Sequence, residues 1–212
     1  MKQIKLLALS ILLTGFFSCK ETKKSQSENA TETSEAKEHF SLIKDSTKVS
    51  FTAYKTTEKL PVAGQFKTIE ISGDAKGETP LETLDGVEFS IPVSSLFTND
   101  ATGTRDPKIL EFFFGVMKNT ELISGVFKVG KAEQCSIDVT LNGETSNIPL
   151  THKIISETGI SFDGVMNLES WSALGAVESI NKACEALHTG EDGISKTWSE
   201  VAVHAEVLLE KN

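Results

Sequence analysis

The chain has few cysteines, one tyrosine and no long apolar run. Three cysteines in 212 residues exclude the disulfide-stapled scaffold of a small secreted domain. No stretch reaches the ~20 consecutive apolar residues that a spanning helix needs. The longest, Leu6 to Phe17, covers twelve residues and includes Ser10, Thr14 and Gly15. Basic residues are outnumbered, 21 against 30 acidic ones, for a net charge of −9. That balance disfavours nucleic acid and anionic lipid headgroups as partners.

Catalytic motifs are missing too. There is no G-x-S-x-G and no H-E-x-x-H. GVFKVGKA, residues 125–132, has P-loop glycine and lysine spacing, but Ala132 stands where the metal-binding Ser or Thr belongs, and the segment reads as strand. Ser41-Leu42-Ile43-Lys44 fits S-x-x-K without the S-D-N or K-T-G that should follow. Cys184 and His188 stand four apart, with Glu191 and Asp192 beyond. A structural zinc takes four ligands and a catalytic one usually three. A packed cysteine and a helix-end histidine, favoured by the macrodipole, is the better reading, and nothing brings His204 near. No catalytic residue, metal or cofactor is expected.

Lys2 and Lys5, the short apolar run and the small residues after it have the form of a secretory signal peptide. The Ser18-Cys19 junction resembles the lipobox of bacterial lipoproteins, with Phe16 where that family usually has Leu. The expectation is a leader over 1–18 and a lipidated Cys19. Residues 20–38 hold no bulky apolar side chain and cannot offset the entropy of folding. They are expected to form, with Cys19, a disordered tether spanning roughly 25 Å. Loss of the leader removes two lysines and no acid, taking the charge from −9 to −11. The 174 residues of 39–212 then form one domain, held to a membrane of the bacterial envelope, in the periplasm or on the cell surface.

That domain reads mainly as strands. Val49, Phe51 and Ala53 alternate with polar neighbours, as do Val87, Phe89, Ile91 and Val93, and then Ile137, Val139 and Leu141 before the hairpin signal Asn142-Gly143. Further strands fall on NIPLTHKI, GISFDGVMNL, QFKTIEISG, LISGVFKVG and WSEVAVHAEVLLE. The last places Val201, Val203, Ala205, Val207 and Leu209 on one face. One-sided alternation with short turns implies antiparallel pairing, and about eight such strands can close into a barrel. Two short helices interrupt them. TRDPKILEFFFG has Asp106 to cap, Pro107 in the first turn and Gly115 as a stop. SALGAVESINKACEALHTG puts Leu174, Val177, Ile180, Cys184 and Leu187 on one face and ends at Gly190. Cys135 and Cys184 are either buried as small hydrophobes or paired in a disulfide.

Twelve phenylalanines against one tyrosine and two tryptophans supply rings without polar handles. Phe112, Phe113 and Phe114 are consecutive, so they cannot all face one way on a helix. Either the helix is covered on two sides or a ring meets a cavity. With Met117, and with Phe51, Phe66, Phe89, Ile91, Phe162 and Met166 chosen by alternation, they are the candidate lining of an apolar site. Trp171 and Trp198 are expected half-buried near an end of the barrel.

STKVSFTAYKT, VAGQF, VSSLFTND…RDPKILEFFF and the closing TWSEV, with the SALGAVESINKACEALHTGEDG insertion, together resemble the YceI-like family over residues 39–210. The resemblance implies a lipocalin-like antiparallel β-barrel with a long internal cavity, and an isoprenoid or quinone-like chain, or another long-chain apolar molecule, as ligand. The protein would then be a lipid-anchored binder or carrier. The alternative is a non-catalytic structural or interaction module of the envelope whose cavity is closed. A homodimer is left open.

Overall fold

Alternating side chains that cannot all be wet bend the chain into one antiparallel sheet around an apolar interior. A computed structural model describes residues 39–212; the leader, Cys19 and the tether fall outside the described residues. In chain order come β1 (Phe40–Leu42), β2 (Lys48–Lys55), β3 (Leu60–Phe66), β4 (Glu70–Ser72), β5 (Lys76–Gly77), β6 (Glu88–Pro92), β7 (Leu96–Phe97) and α1 (Arg105–Phe112). Then follow β8 (Leu122–Val129), β9 (Cys135–Leu141), β10 (Glu144–Ser156), β11 (Gly159–Asn167), α2 (Leu174–Ala183), α3 (Glu185–His188) and β12 (Glu200–Lys211). Eight strands have five or more residues, and the other four are short edge pieces.

The ladder runs β4-β6-β8-β9-β10-β11-β12-β2-β3-β7, every pair antiparallel. It curls without a hydrogen-bonded seam between its β4 and β7 ends among the described residues. QFKTIEISG is therefore not one strand. The chain leaves β3 at Phe66, crosses residues 67–69 and joins the opposite edge as β4. Asn142 and Gly143 both take positive φ, 53° and 74°, making the two-residue turn between β9 and β10. The Asn142 amide donates to the Trp171 carbonyl at 2.9 Å.

Two apolar clusters pack inside the curl. At one end β1, which pairs with β12, packs Phe40 with Leu81, Leu84, Phe127, Ile160 and Leu209. At the other end of the same strands Leu141, Ile148, Leu168, Trp171, Val177 and Phe114 pack together. Trp171 is only 1% exposed, and its Nε1–H donates to the Val139 carbonyl at 2.8 Å. It is a buried anchor, not a half-wet indole, because that carbonyl satisfies its one donor.

The helices depart from expectation in two details. Asp106 does not cap α1: its Oδ1 accepts from the backbone N–H of Thr98 at 3.1 Å and from the Thr98 hydroxyl. Asp100, from the preceding loop, does the capping, with Oδ2 accepting the N–H groups of Thr104 and Arg105 at 3.1 Å each. The second helix breaks at Cys184 (φ −117°, ψ 20°), so α2 and α3 are separate. The break leaves Val177, Ile180 and Cys184 buried while Leu174 and Leu187 are exposed.

Candidate functional site: an apolar cavity with a polar mouth

Between the two clusters lies a cavity of about 1060 Å³, at the top of the roughly 300–1,000 Å³ range of small-molecule pockets. Both clusters contribute to it, with Leu84, Phe127 and Phe162 from the first and Phe114, Val139 and Ile148 from the second. The inward face of β12, Val201, Val203, Ala205 and Val207, forms one side. Pairing fixes which residues of the neighbours share that face: Val203 opposes Phe51, and Val49 opposes Phe66.

The wall carries Phe51, Phe66, Phe89, Ile91, Phe113, Phe114, Phe162 and Met166 from the candidate lining, but not Phe112 or Met117. The three consecutive rings diverge for a geometric reason. The helix ends at Phe112, and Phe114 begins a tighter 3₁₀ turn. Phe113 and Phe114 meet edge to face at 5.0 Å between ring centres, while Phe112 projects elsewhere and is half-buried. Met117 packs on the second cluster behind the wall.

The mouth shows where lining residues are also exposed: Leu60 and Pro61 of β3, Thr102, Thr104 and Arg105 before and at the start of α1, and Leu187 of α3. It is polar on one side. Lys55, Lys108, His188 and Thr197 join the wall there, with Trp198. Trp198 Nε1–H donates to the Thr56 carbonyl at 2.8 Å, and the Lys196 ammonium sits 3.5 Å from its ring centre. Lys55 Nζ donates to the Leu187 carbonyl at 3.0 Å, tying β2 to α3. Sequence patterning does not find this group, because its members come from β2, α1, α3 and the segment before β12.

The motif-like residues are used otherwise. Lys44 donates to the Gly73 carbonyl and Ser41 Oγ accepts from Asn212. The lysine-and-glycine run continues β8 into a turn. Cys135 and Cys184 are both free and buried, and burial pushes the Cys135 thiol pKa up. No group of three or more metal-type side chains gathers among the described residues.

A curled antiparallel sheet of mainly β structure, capped by helices over an apolar cavity, defines a lipocalin-like class of fold. A family model of the YceI-like domain matches residues 40–208, and the chain belongs to that family. Among solved structures it is similar to a polyisoprenoid-binding domain from Saccharophagus degradans implicated in plant cell wall breakdown. That likeness has 16% identity and a TM-score of 0.56, over 82% of this chain and 98% of that one. It also matches BcnA of Burkholderia cenocepacia, at 15% identity and TM-score 0.46, over 77% and 96% of the two chains. A Campylobacter jejuni YceI protein matches at 18% identity and TM-score 0.46, over 71% and 85%. No curated protein matches the chain significantly.

Proposed function

We propose that the domain binds or carries a long apolar molecule of the isoprenoid or quinone type inside its cavity. The observation that carries this reading is the cavity itself, about 1060 Å³ and walled by phenylalanine and aliphatic side chains. Removing a long chain from water onto such a wall is worth roughly 25 cal/mol per Å² buried. An open mouth favours carriage over a module whose interior is filled by its own side chains. The ligand class is taken from the Saccharophagus domain that shares the fold. The leader-like run and the Ser18-Cys19 junction support the further proposal of a lipid anchor that holds the carrier to a membrane of the bacterial envelope.

Tryptophan emission tests the binding. Trp198 lines the cavity, whereas Trp171 is buried behind it. Titration with geranylgeraniol is expected to change the emission saturably, and Trp198→Phe to abolish the change. A parent protein with no saturable response to isoprenoid, quinone or fatty acyl chains would overturn the reading.

A further inference from the structure

Four aliphatic side chains stand in water at the end of the sheet opposite the mouth. Ile43, Ile154, Ile155 and Leu208 are each between 41% and 55% exposed. The backbone N–H of Ile43 donates to the Leu208 carbonyl at 2.9 Å, one residue beyond the Leu42–Leu209 pair of β1 and β12. Gly159 of β11 stands opposite Leu208, and aliphatic arms from two strands close over it. A Cβ there would lie 3.0 Å from Ile155 Cγ1 and 3.3 Å from Leu208 Cδ2. The register of β10 against β11 shifts between Ile154 and Ser156, and at this bulge both isoleucines are exposed. Single exposed aliphatics are ordinary; a contiguous group marks a contact surface.

What covers the patch follows from where the rest of the chain joins. His39 exchanges backbone hydrogen bonds with Asn212, at 3.1 and 2.8 Å, so the chain before residue 39 joins at this same end. Residues 20–38 carry no bulky apolar side chain to lay on the patch. The charge without the leader, −9 less two lysines or −11, opposes a second copy. Charges beside the patch in sequence balance, Lys44 with Asp45 and Lys153 with Glu157, so no headgroup of one sign is selected. The twenty residues from Cys19 to Glu38 reach at most about 70 Å. A link of that length holds the domain over an anchoring membrane at an effective concentration on the order of millimolar. At that concentration a few aliphatic side chains are enough to hold one orientation, since interfacial binding grows with the apolar area buried.

We propose that this end of the domain docks on the bilayer that holds Cys19: Ile43, Ile154, Ile155 and Leu208 enter the boundary between headgroups and acyl chains, and the mouth faces away. β12 sets the orientation. Glu200 begins the strand beside Trp198 of the mouth, and Leu208 follows eight residues on, roughly 26 Å away at ~3.3 Å per residue. A docked carrier therefore exchanges its ligand on the aqueous side, not directly with the leaflet that anchors it. The inference rests on the lipid anchor proposed above and adds an orientation to it.

The test reads depth on the mature full-length protein reconstituted in phosphatidylcholine vesicles. An environment-sensitive fluorophore is attached at Ile155→Cys or, at the mouth, at Leu60→Cys; Cys135 and Cys184 are buried and stay unlabelled. The label at 155 is expected to shift to the blue and to be quenched by a lipid-borne quencher several-fold more than the label at 60. Added salt should leave the difference unchanged, because the contact is apolar. Leu208→Asp in the Ile155→Cys background is expected to stay on the vesicles, keep the parent circular dichroism and lose the blue shift. Equal, water-like emission from both labels overturns the docking and leaves the anchor standing. A blue shift at 155 that grows with protein concentration in vesicle-free Cys19→Ser overturns it in favour of a second copy. Failure of the parent to float with vesicles overturns the anchor, and the docking with it.

Discussion

Phe51 on β2 stands directly opposite Gly64 on β3, and its ring covers the glycine. A Cβ there would lie 2.7 Å from Phe51 Cε1 and closer still to Cζ. Phe89 and Gly125 repeat the arrangement across β6 and β8, with Phe89 Cζ 2.6 Å from such a Cβ. In both pairs the glycine lets a ring rest over bare backbone of the next strand, a recurrent cross-strand device, while the ring still lines the cavity.

The two glycines should respond differently to alanine. At Gly64 only the far end of the Phe51 ring is in the way, and the ring can swing into the cavity. Gly64→Ala is expected to fold with a nearly unchanged melting temperature but to bind chain ligands about tenfold more weakly, ~1.4 kcal/mol. At Gly125 the new methyl also meets the Asp138 carbonyl oxygen, which is ladder backbone and cannot yield. Gly125→Ala is expected to lose about 1–3 kcal/mol of stability, the usual range for overpacking. Thermal melting and a binding titration on both variants check this, and parent-like binding by Gly64→Ala would contradict it.

Phe113 gives a second test. Phe113→Asp would place a charge on the apolar wall, at a cost of several kcal/mol unless the group neutralises. Ligand affinity is expected to fall by far more than tenfold, while Phe113→Leu loses much less. Phe112→Asp, off the wall, is the internal control and should bind as the parent does. If Phe113→Asp folds and binds normally, α1 does not shape the occupied part of the cavity.

Much of the wall was legible because strands alternate with a period of two. Val201 to Leu209 faced inward as their spacing required, and Asn142-Gly143 turned where its chemistry demanded. The illegible parts depend on partners that the local sequence does not contain. The break after Phe66 exists because β3 and β4 pair with opposite edges of the ladder. Asp100 displaced Asp106 as the α1 cap because the loop before the helix folds back on it. The kink at Cys184 divides a stripe that reads as one helix. Lys55, Lys108 and His188 lie far apart in sequence and meet only through the tertiary fold.

His204 on β12 offers a pH test. Its Nδ1 is 2.7 Å from Asp163 Oδ1 and its Nε2 is 3.6 Å from Glu206. The hydrogen bond to Asp163, opposed by partial burial, raises its pKa above the ordinary 6.5. A raised folded-state pKa means that the stabilisation is fully present below pH 6.5 and is lost as pH rises through the folded value. The site is exposed, so the effect is under about 1 kcal/mol. Asp163→Asn is expected to lower the His204 pKa measured by NMR, and to melt below the parent at pH near 5.5 but not near 8.5. An unchanged titration curve would contradict the pairing.

Cys19 decides the proposed anchor. Cys19→Ser is expected to move the protein from the membrane fraction to the soluble one, or to stall its processing, and mass spectrometry of the mature parent should find residue 19 as its N-terminus. Unchanged membrane association, with cleavage elsewhere, would remove the anchor and leave the cavity untouched.

The carriage of an apolar chain is tested most directly by native mass spectrometry of the full-length protein, purified from its own membranes without added lipid. A retained molecule of defined mass is expected, released on denaturation and extractable into organic solvent, with Gly64→Ala and Phe113→Asp recovered largely without it. A parent protein that flies at its bare polypeptide mass, lipid anchor aside, and takes up no long-chain ligand afterwards would contradict it.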